Sequence, residues 1–131
     1  MSELVWIDDR EAVALNARAV ELFGGLQAGV RDQTLLQAAL ARPLNKWHYE
    51  EKRPDIFELA AAYAFALCKV HVFHDGNKRT AHAVAAVFLE LNGWTQDCPE
   101  TDVVLTMVGV ADGSVKEAGL AAWFRRTSKR T

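Results

Sequence analysis

The chain lacks most of the features that assign a function class at first reading. Two cysteines occur in 131 residues, and Cys68 and Cys98 form neither a CxxC pair nor a metal-type spacing. Cys68 lies in an apolar run and reads as a small buried hydrophobe. No apolar run approaches the roughly 20 residues that span a bilayer, and no basic stretch followed by an apolar core marks a secretory signal. The net charge of −2 supplies no general pull toward nucleic acid or an anionic membrane surface. Repeats, low-complexity tracts and linkers are absent. These absences leave a cytoplasmic protein with reduced thiols, without direct nucleic-acid or membrane partners, as the expectation.

Half of the residues are apolar and 24% are charged, an ordinary balance for a folded domain, and the length suits one core. Residues 1–131 are therefore read as a single domain. The three prolines all fall at expected helix boundaries. Leu4–Ile7 is short and apolar, either a strand or a lead-in. Asp8-x-x-Glu11 reads as a capping box, followed by Val13, Ala17 and Val20 on one face and by a Gly24–Gly25 stop. Asp32 caps a second helix through Leu35, Leu36, Ala39 and Leu40, which Pro43 ends. Residues 44–53, LNKWHYEEKR, have no clear period and read as a loop or flap.

Pro54 and Asp55 open a third helix with Ile56, Leu59, Tyr63, Leu67 and Val70 in its stripe. Alanine fills the rest, which predicts close approach at the centre of a bundle. A fourth helix runs from Asn77 through Ala81, Val84, Ala85, Phe88 and Leu91 to Asn92–Gly93. Pro99 starts a fifth, with Val103, Val104, Met107 and Val108. Ser114-x-x-Glu117 reads as another capping box, opening a sixth helix that buries Leu120, Trp123 and Phe124. Arg125, Arg126, Lys129 and Arg130 read as a solvated, frayed tail. The fold class is all-α, about six helices, with at most a short N-terminal strand or flap.

The densest polar chemistry, HVFHDGNKRT at 71–80, lies between the two most apolar segments. Asn77, Lys78 and Arg79 stand at a helix N-terminus, where unpaired N–H groups and the positive end of the dipole favour an anion. Cations are disfavoured there unless something negative is nearby. Gly76 lets the backbone turn and approach a ligand, and Arg79 can fork onto phosphate oxygens. His71 supplies an imidazole, a side chain suited to general-base work, and Asp75 is a hard oxygen ligand suited to Mg²⁺. Singly, each has a plainer reading: His71 a cap, Lys78 and Arg79 solvated charges. Phe73 reads as a core anchor, His74 and His82 as exposed or supporting residues, and Trp47, His48 and Tyr49 as loop packing.

Together, HVFHDGNKR resembles the Fic/Doc signature His-x-Phe-x-(Asp/Glu)-Gly-Asn-x-Arg at His71, Phe73, Asp75, Gly76, Asn77 and Arg79. Lys78 stands where Fic enzymes carry a second glycine, as in the Doc (death-on-curing) branch. Gly24–Gly25–Leu26, Gly29-x-Arg31–Asp32, Leu35–Leu36 and Ala41–Arg42–Pro43 are similar to that branch's N-terminal pattern. His82 departs from the second arginine of Fic enzymes.

The resemblance implies a helical Fic-type core and a toxin held by a cognate antitoxin that folds on binding. It implies ATP and Mg²⁺ as cofactors, and transfer of the γ-phosphate to a protein hydroxyl, with translation elongation factor Tu as the target. On it, His71 is the general base, Asp75 holds Mg²⁺ or aligns the hydroxyl, and Gly76, Asn77, Lys78 and Arg79 hold the phosphates. The flap at 44–53 would guide the target peptide by strand addition. Three other readings stand beside it. They are a Fic-type AMP transferase, an inactive antitoxin-binding module, and a metal phosphohydrolase built on His74–Asp75.

Overall fold

In a computed structural model, which describes residues 3–131, side-chain caps start three of the six helices. Helix α1 (Asp9–Phe23) opens with the Asp8/Glu11 box: Glu11 N–H donates to Asp8 Oδ1 at 2.9 Å, and Asp8 N–H to Glu11 Oε1 at 3.1 Å. Asp32 accepts from Leu35 N–H at 3.0 Å and starts α2 (Gln33–Tyr49). Asp55 and Glu58 form a second box for α3 (Ile56–Lys69), at the same spacing as the first. Helices α4 (Asn77–Leu91), α5 (Glu100–Asp112) and α6 (Glu117–Thr127) follow.

The alanine-rich α3 is the central element. Ala60, Ala61, Ala62 and Ala64 are fully buried, and α2, α4, α5 and α6 all pack against it. Tyr63 fills the middle, and its hydroxyl accepts a 2.9 Å bond from Ile7 N–H. Burial pushes that phenol up to about 12. Leu4–Ile7 is thus an extended lead-in, not a strand, with Ile7 in the core. Cys68 is buried, as expected of a small hydrophobe. Among the described residues no helix is long and apolar enough to cross a membrane.

Five local expectations are overturned. Pro43 does not end α2; it lies inside the helix and is buried. Proline removes one N–H and crowds the preceding turn, at a cost of about 3 kcal/mol. Packing beyond it offsets that cost: Trp47 meets Trp6 edge-on at 6.3 Å, and Arg53 lies 4.2 Å over the Trp47 ring. Residues 44–49 are therefore helix, only 50–55 remain as a connection, and the helical backbone offers no edge for strand addition. On α1 the buried face is Ala12, Asn16 and Ala19, while Val13 and Ala17 are exposed.

Ser114 and Glu117 form no box. Lys116 is the N-cap of α6, Ser114 Oγ donates to Gly109 O, and Glu117 pairs with Arg42. The C-terminal end is not frayed. Trp94–Gln96 (β1) pairs antiparallel with Ser128–Arg130 (β2), in register Trp94 to Arg130. Arg130 lies 4.7 Å over the Trp94 ring, Lys129 pairs with Asp97, and Arg125 with Asp55.

Candidate active site

The loop between α3 and α4 is fastened at both ends. Val72 and Phe73 are fully buried. Phe73 forms an antiparallel bridge with Val30, and Val72 O accepts from Arg31 N–H at 2.8 Å and Asp32 N–H at 3.2 Å. His74 N–H donates to Gly29 O at 3.0 Å, and Arg31 Nε–H to His71 O at 2.6 Å. Asn77 closes the loop from the other side. Its Oδ1 accepts from Phe73 N–H and its Nδ2 donates to Phe73 O, both at 3.0 Å. Each polar atom of that side chain thus has a partner on the loop.

Asp75 is oriented by the α1–α2 connection. Its Oδ2 accepts from Leu26 N–H at 2.9 Å and Gln27 N–H at 2.7 Å. Oδ1 accepts no hydrogen bond among the described residues. Underneath lies Asn16, a buried residue that the sequence reading did not single out. Its Nδ2 donates to Asp75 O at 2.9 Å and Thr80 Oγ1 at 3.1 Å, while its Oδ1 accepts from Gly29 N–H at 2.8 Å. One amide thus ties α1, the α1–α2 connection, the loop and α4 together. The available signal was a polar residue spaced four after Ala12 and three before Ala19, two small residues on one face.

Gly76 caps α4 in the left-handed region at φ 73°. The conformation favours glycine, and a Cβ there would also stand a tight 3.2 Å from Val20 Cγ2. Thr80 N–H closes the first helical turn on Gly76 O. The N–H groups of Asn77, Lys78 and Arg79 precede the ladder and have no intrahelical partner. Lys78 is exposed and makes no ion pair among the described residues. Arg79 pairs with Glu100 and lies 3.9 Å over the Phe23 ring. Both cations border a small apolar slot walled by Val103, Val104, Met107 and Val108.

His71 and His74 are exposed on the turn, and neither ring is hydrogen-bonded among the described residues. No set of three or more His, Cys, Asp or Glu side chains there could hold a metal. Asp75 alone suits Mg²⁺, which keeps most of its waters and takes one or two carboxylates plus substrate phosphates. Among the described residues the adjacent His74–Asp75 pair has no further ligands to build a transition-metal centre.

His82 serves structure instead of the site. Its Nε2 is 2.6 Å from Gln96 Oε1, a carbonyl oxygen that can only accept, so Nε2 carries the proton. Gln96 Nε2 donates in turn to Thr127 Oγ1, and the imidazole stacks on Phe124 at 6.2 Å. Burial lowers the pKa of His82 from 6.5; the Gln96 bond opposes this and the charge of Arg79 adds to it. Because the folded pKa lies below the unfolded one, the unfolded chain binds more protons between the two values. Stability is therefore full above about pH 6.5 and falls as pH drops toward the folded pKa. Urea unfolding from about pH 7.5 to about pH 5.5 should show that loss. His82→Gln should flatten it, and an equal slope in both proteins would exclude His82 as its source.

Comparison with known proteins agrees with this geometry. The family model described as the Fic/DOC family matches residues 6–89, a span holding the whole loop and both of its anchoring segments. The chain is similar to "Protein kinase doc" of Escherichia phage P1, 34% identical over 120 residues that cover 92% of this chain and 93% of that protein. It is also similar to "Toxin Doc" of Mycolicibacterium smegmatis, 44% identical over 85 residues, covering 65% of this chain and 63% of the other. With the family pattern spanning the site and its supports, the chain belongs to the Fic/Doc family.

Proposed function

We propose that this chain is the toxin of a toxin–antitoxin pair and a protein kinase by reaction. It transfers the γ-phosphoryl group of ATP to a Ser or Thr hydroxyl of a protein, elongation factor Tu, and so blocks translation in the cytoplasm. One observation carries the phosphate-binding half of this reading. A left-handed Gly76 starts α4 with three backbone N–H groups outside the ladder, flanked by Lys78 and Arg79. The exposed His71 ring on the same loop supplies a base with no competing hydrogen bond among the described residues. The kinase and toxin halves draw on the similarity to the phage P1 protein kinase and the mycobacterial toxin. The choice of elongation factor Tu rests on the family resemblance.

In this mechanism His71 takes the proton from the target hydroxyl as its oxygen bonds to the γ-phosphorus. The bond from that phosphorus to the β–γ bridging oxygen breaks, and ADP leaves. Mg²⁺, when bound, would neutralise phosphate charge, and Asp75 Oδ1 is the oxygen positioned to hold it. The N–H groups of residues 77–79, with the Lys78 and Arg79 charges, offset the charge of the transition state.

Lys78 distinguishes γ-phosphoryl from adenylyl transfer. Glycine at that position would leave backbone room for the α- and β-phosphates, with the α-phosphorus before the base. Lysine fills it, and His82, bonded to Gln96, supplies no second phosphate grip. Intact-mass analysis of elongation factor Tu incubated with this protein, Mg²⁺ and ATP should show a phosphate-sized increment. An adenylyl-sized increment would make the chain an AMP transferase, and no increment with growth arrest intact would move the target elsewhere. Lys78→Gly should lose kinase activity and shift residual transfer toward AMP. An antitoxin segment that orders on binding supplies inhibition in trans. The protein expressed alone should arrest growth, and coexpression with the product of a neighbouring small gene should restore it.

A further inference from the structure

The two cations at the start of α4 are not equivalent. Lys78 is exposed without an ion pair, whereas the Arg79 charge is neutralised by Glu100, the first residue of α5. A carboxylate offers a guanidinium two oxygens in one plane, the same fork that an edge of a phosphate offers. We propose that Glu100 is an intramolecular stand-in for phosphate on Arg79 and so sets how tightly this site takes polyphosphates. The inference rests on the phosphate-binding reading of this helix start.

Three features separate this role from a structural one. The Glu100 side chain is 61% exposed, and ion pairs at that exposure contribute little to stability. Its negative charge is not required by the dipole of α5, because Asp102 stands in the same first turn. Arg79 does not need Glu100 to stay in place, because Phe23 already lies beneath the guanidinium. An incoming phosphate therefore exchanges one acceptor for another on a held arginine, and the displaced carboxylate turns to solvent. The cost of displacing Glu100 is subtracted from the affinity of every ligand that uses Arg79.

The test is calorimetric binding of inorganic triphosphate, and of a non-hydrolysable ATP analogue with Mg²⁺, to the full chain. Glu100→Gln keeps the shape of the residue and weakens its hold on Arg79. It should tighten both ligands by about two- to fivefold, the range of an exposed ion pair. The KM for ATP should fall by the same factor with kcat unchanged. Asp102→Asn makes the same charge change in the same turn and should leave affinity as it was. Equal or weaker binding by Glu100→Gln, or equal tightening by Asp102→Asn, overturns the proposal. If neither wild type nor Glu100→Gln binds triphosphate or the analogue, the phosphate-site reading itself falls, and this inference with it.

Discussion

His71→Ala should lose phosphoryl transfer by about 10²- to 10⁴-fold, the usual contribution of a positioned general base, with the fold unchanged. The two halves of that expectation have separate causes. On the proposed mechanism the imidazole is the proton acceptor, so its loss leaves the attacking hydroxyl without one. It is also exposed and free of hydrogen bonds among the described residues, while the His71 carbonyl that Arg31 grips remains in the variant. Stability should therefore stay within about 0.5 kcal/mol of wild type, as for other surface changes. Mass analysis of elongation factor Tu and a urea melt of the variant check the halves independently. Growth arrest by a folded His71→Ala protein would remove His71 from catalysis.

The largest effect on stability should come from a residue outside the motif. Asn16→Leu conserves volume but deletes three hydrogen bonds, leaving Gly29 N–H and Asp75 C=O without their partner. Each buried polar group left unpaired costs about 1–3 kcal/mol. The expected loss is roughly 3–5 kcal/mol, or a melting point lower by roughly 12–20 °C for a domain of this size. Thr80→Val removes only the acceptor at 3.1 Å, so it should cost about 1 kcal/mol. Denaturant unfolding of the two variants gives the comparison. If Asn16→Leu cost no more than Thr80→Val, Asn16 would not be the joint between α1 and the loop. Surviving Asn16→Leu protein should also transfer phosphate poorly, because the Asp75 carbonyl loses its tie to α1.

Much of this molecule was legible from local signals. The Asp8–Glu11 and Asp32 caps, the alanine-rich α3, the start of α4 at Asn77 and the buried Phe73 all follow from spacings of three or four residues. Such spacings are set by backbone geometry alone. The ten-residue loop was legible for the same reason, since helix start, turn glycine and charges are adjacent in the chain. The Asp55–Glu58 box could have been found by the same rule that found Asp8–Glu11.

What failed to show had its partner far along the chain. Pro43 obeys a local rule that predicts an end to the helix, and the packing of Trp47 on Trp6 outweighs it. The basic tail has the composition of a frayed end until Trp94, Asp97 and Asp55 supply its partners. The Ser114–Glu117 spacing matches a box, but Arg42 takes the glutamate.

The sequence by itself therefore determined a six-helix chain with an anion-seeking helix start and a histidine on the loop before it. Each of those traits is written within one or two helical turns. Tertiary structure alone decided which groups remain free to meet a ligand. It committed the Asn77 amide to Phe73, the Asp75 Oδ2 to Leu26 and Gln27, His82 to Gln96 and Arg79 to Glu100. Apart from the Asn77 bond, these pairings join residues on different elements. A hydrogen bond or ion pair depends on separation in space, and only the packing of α1, α3, α5 and β1 against α4 brings those partners within reach.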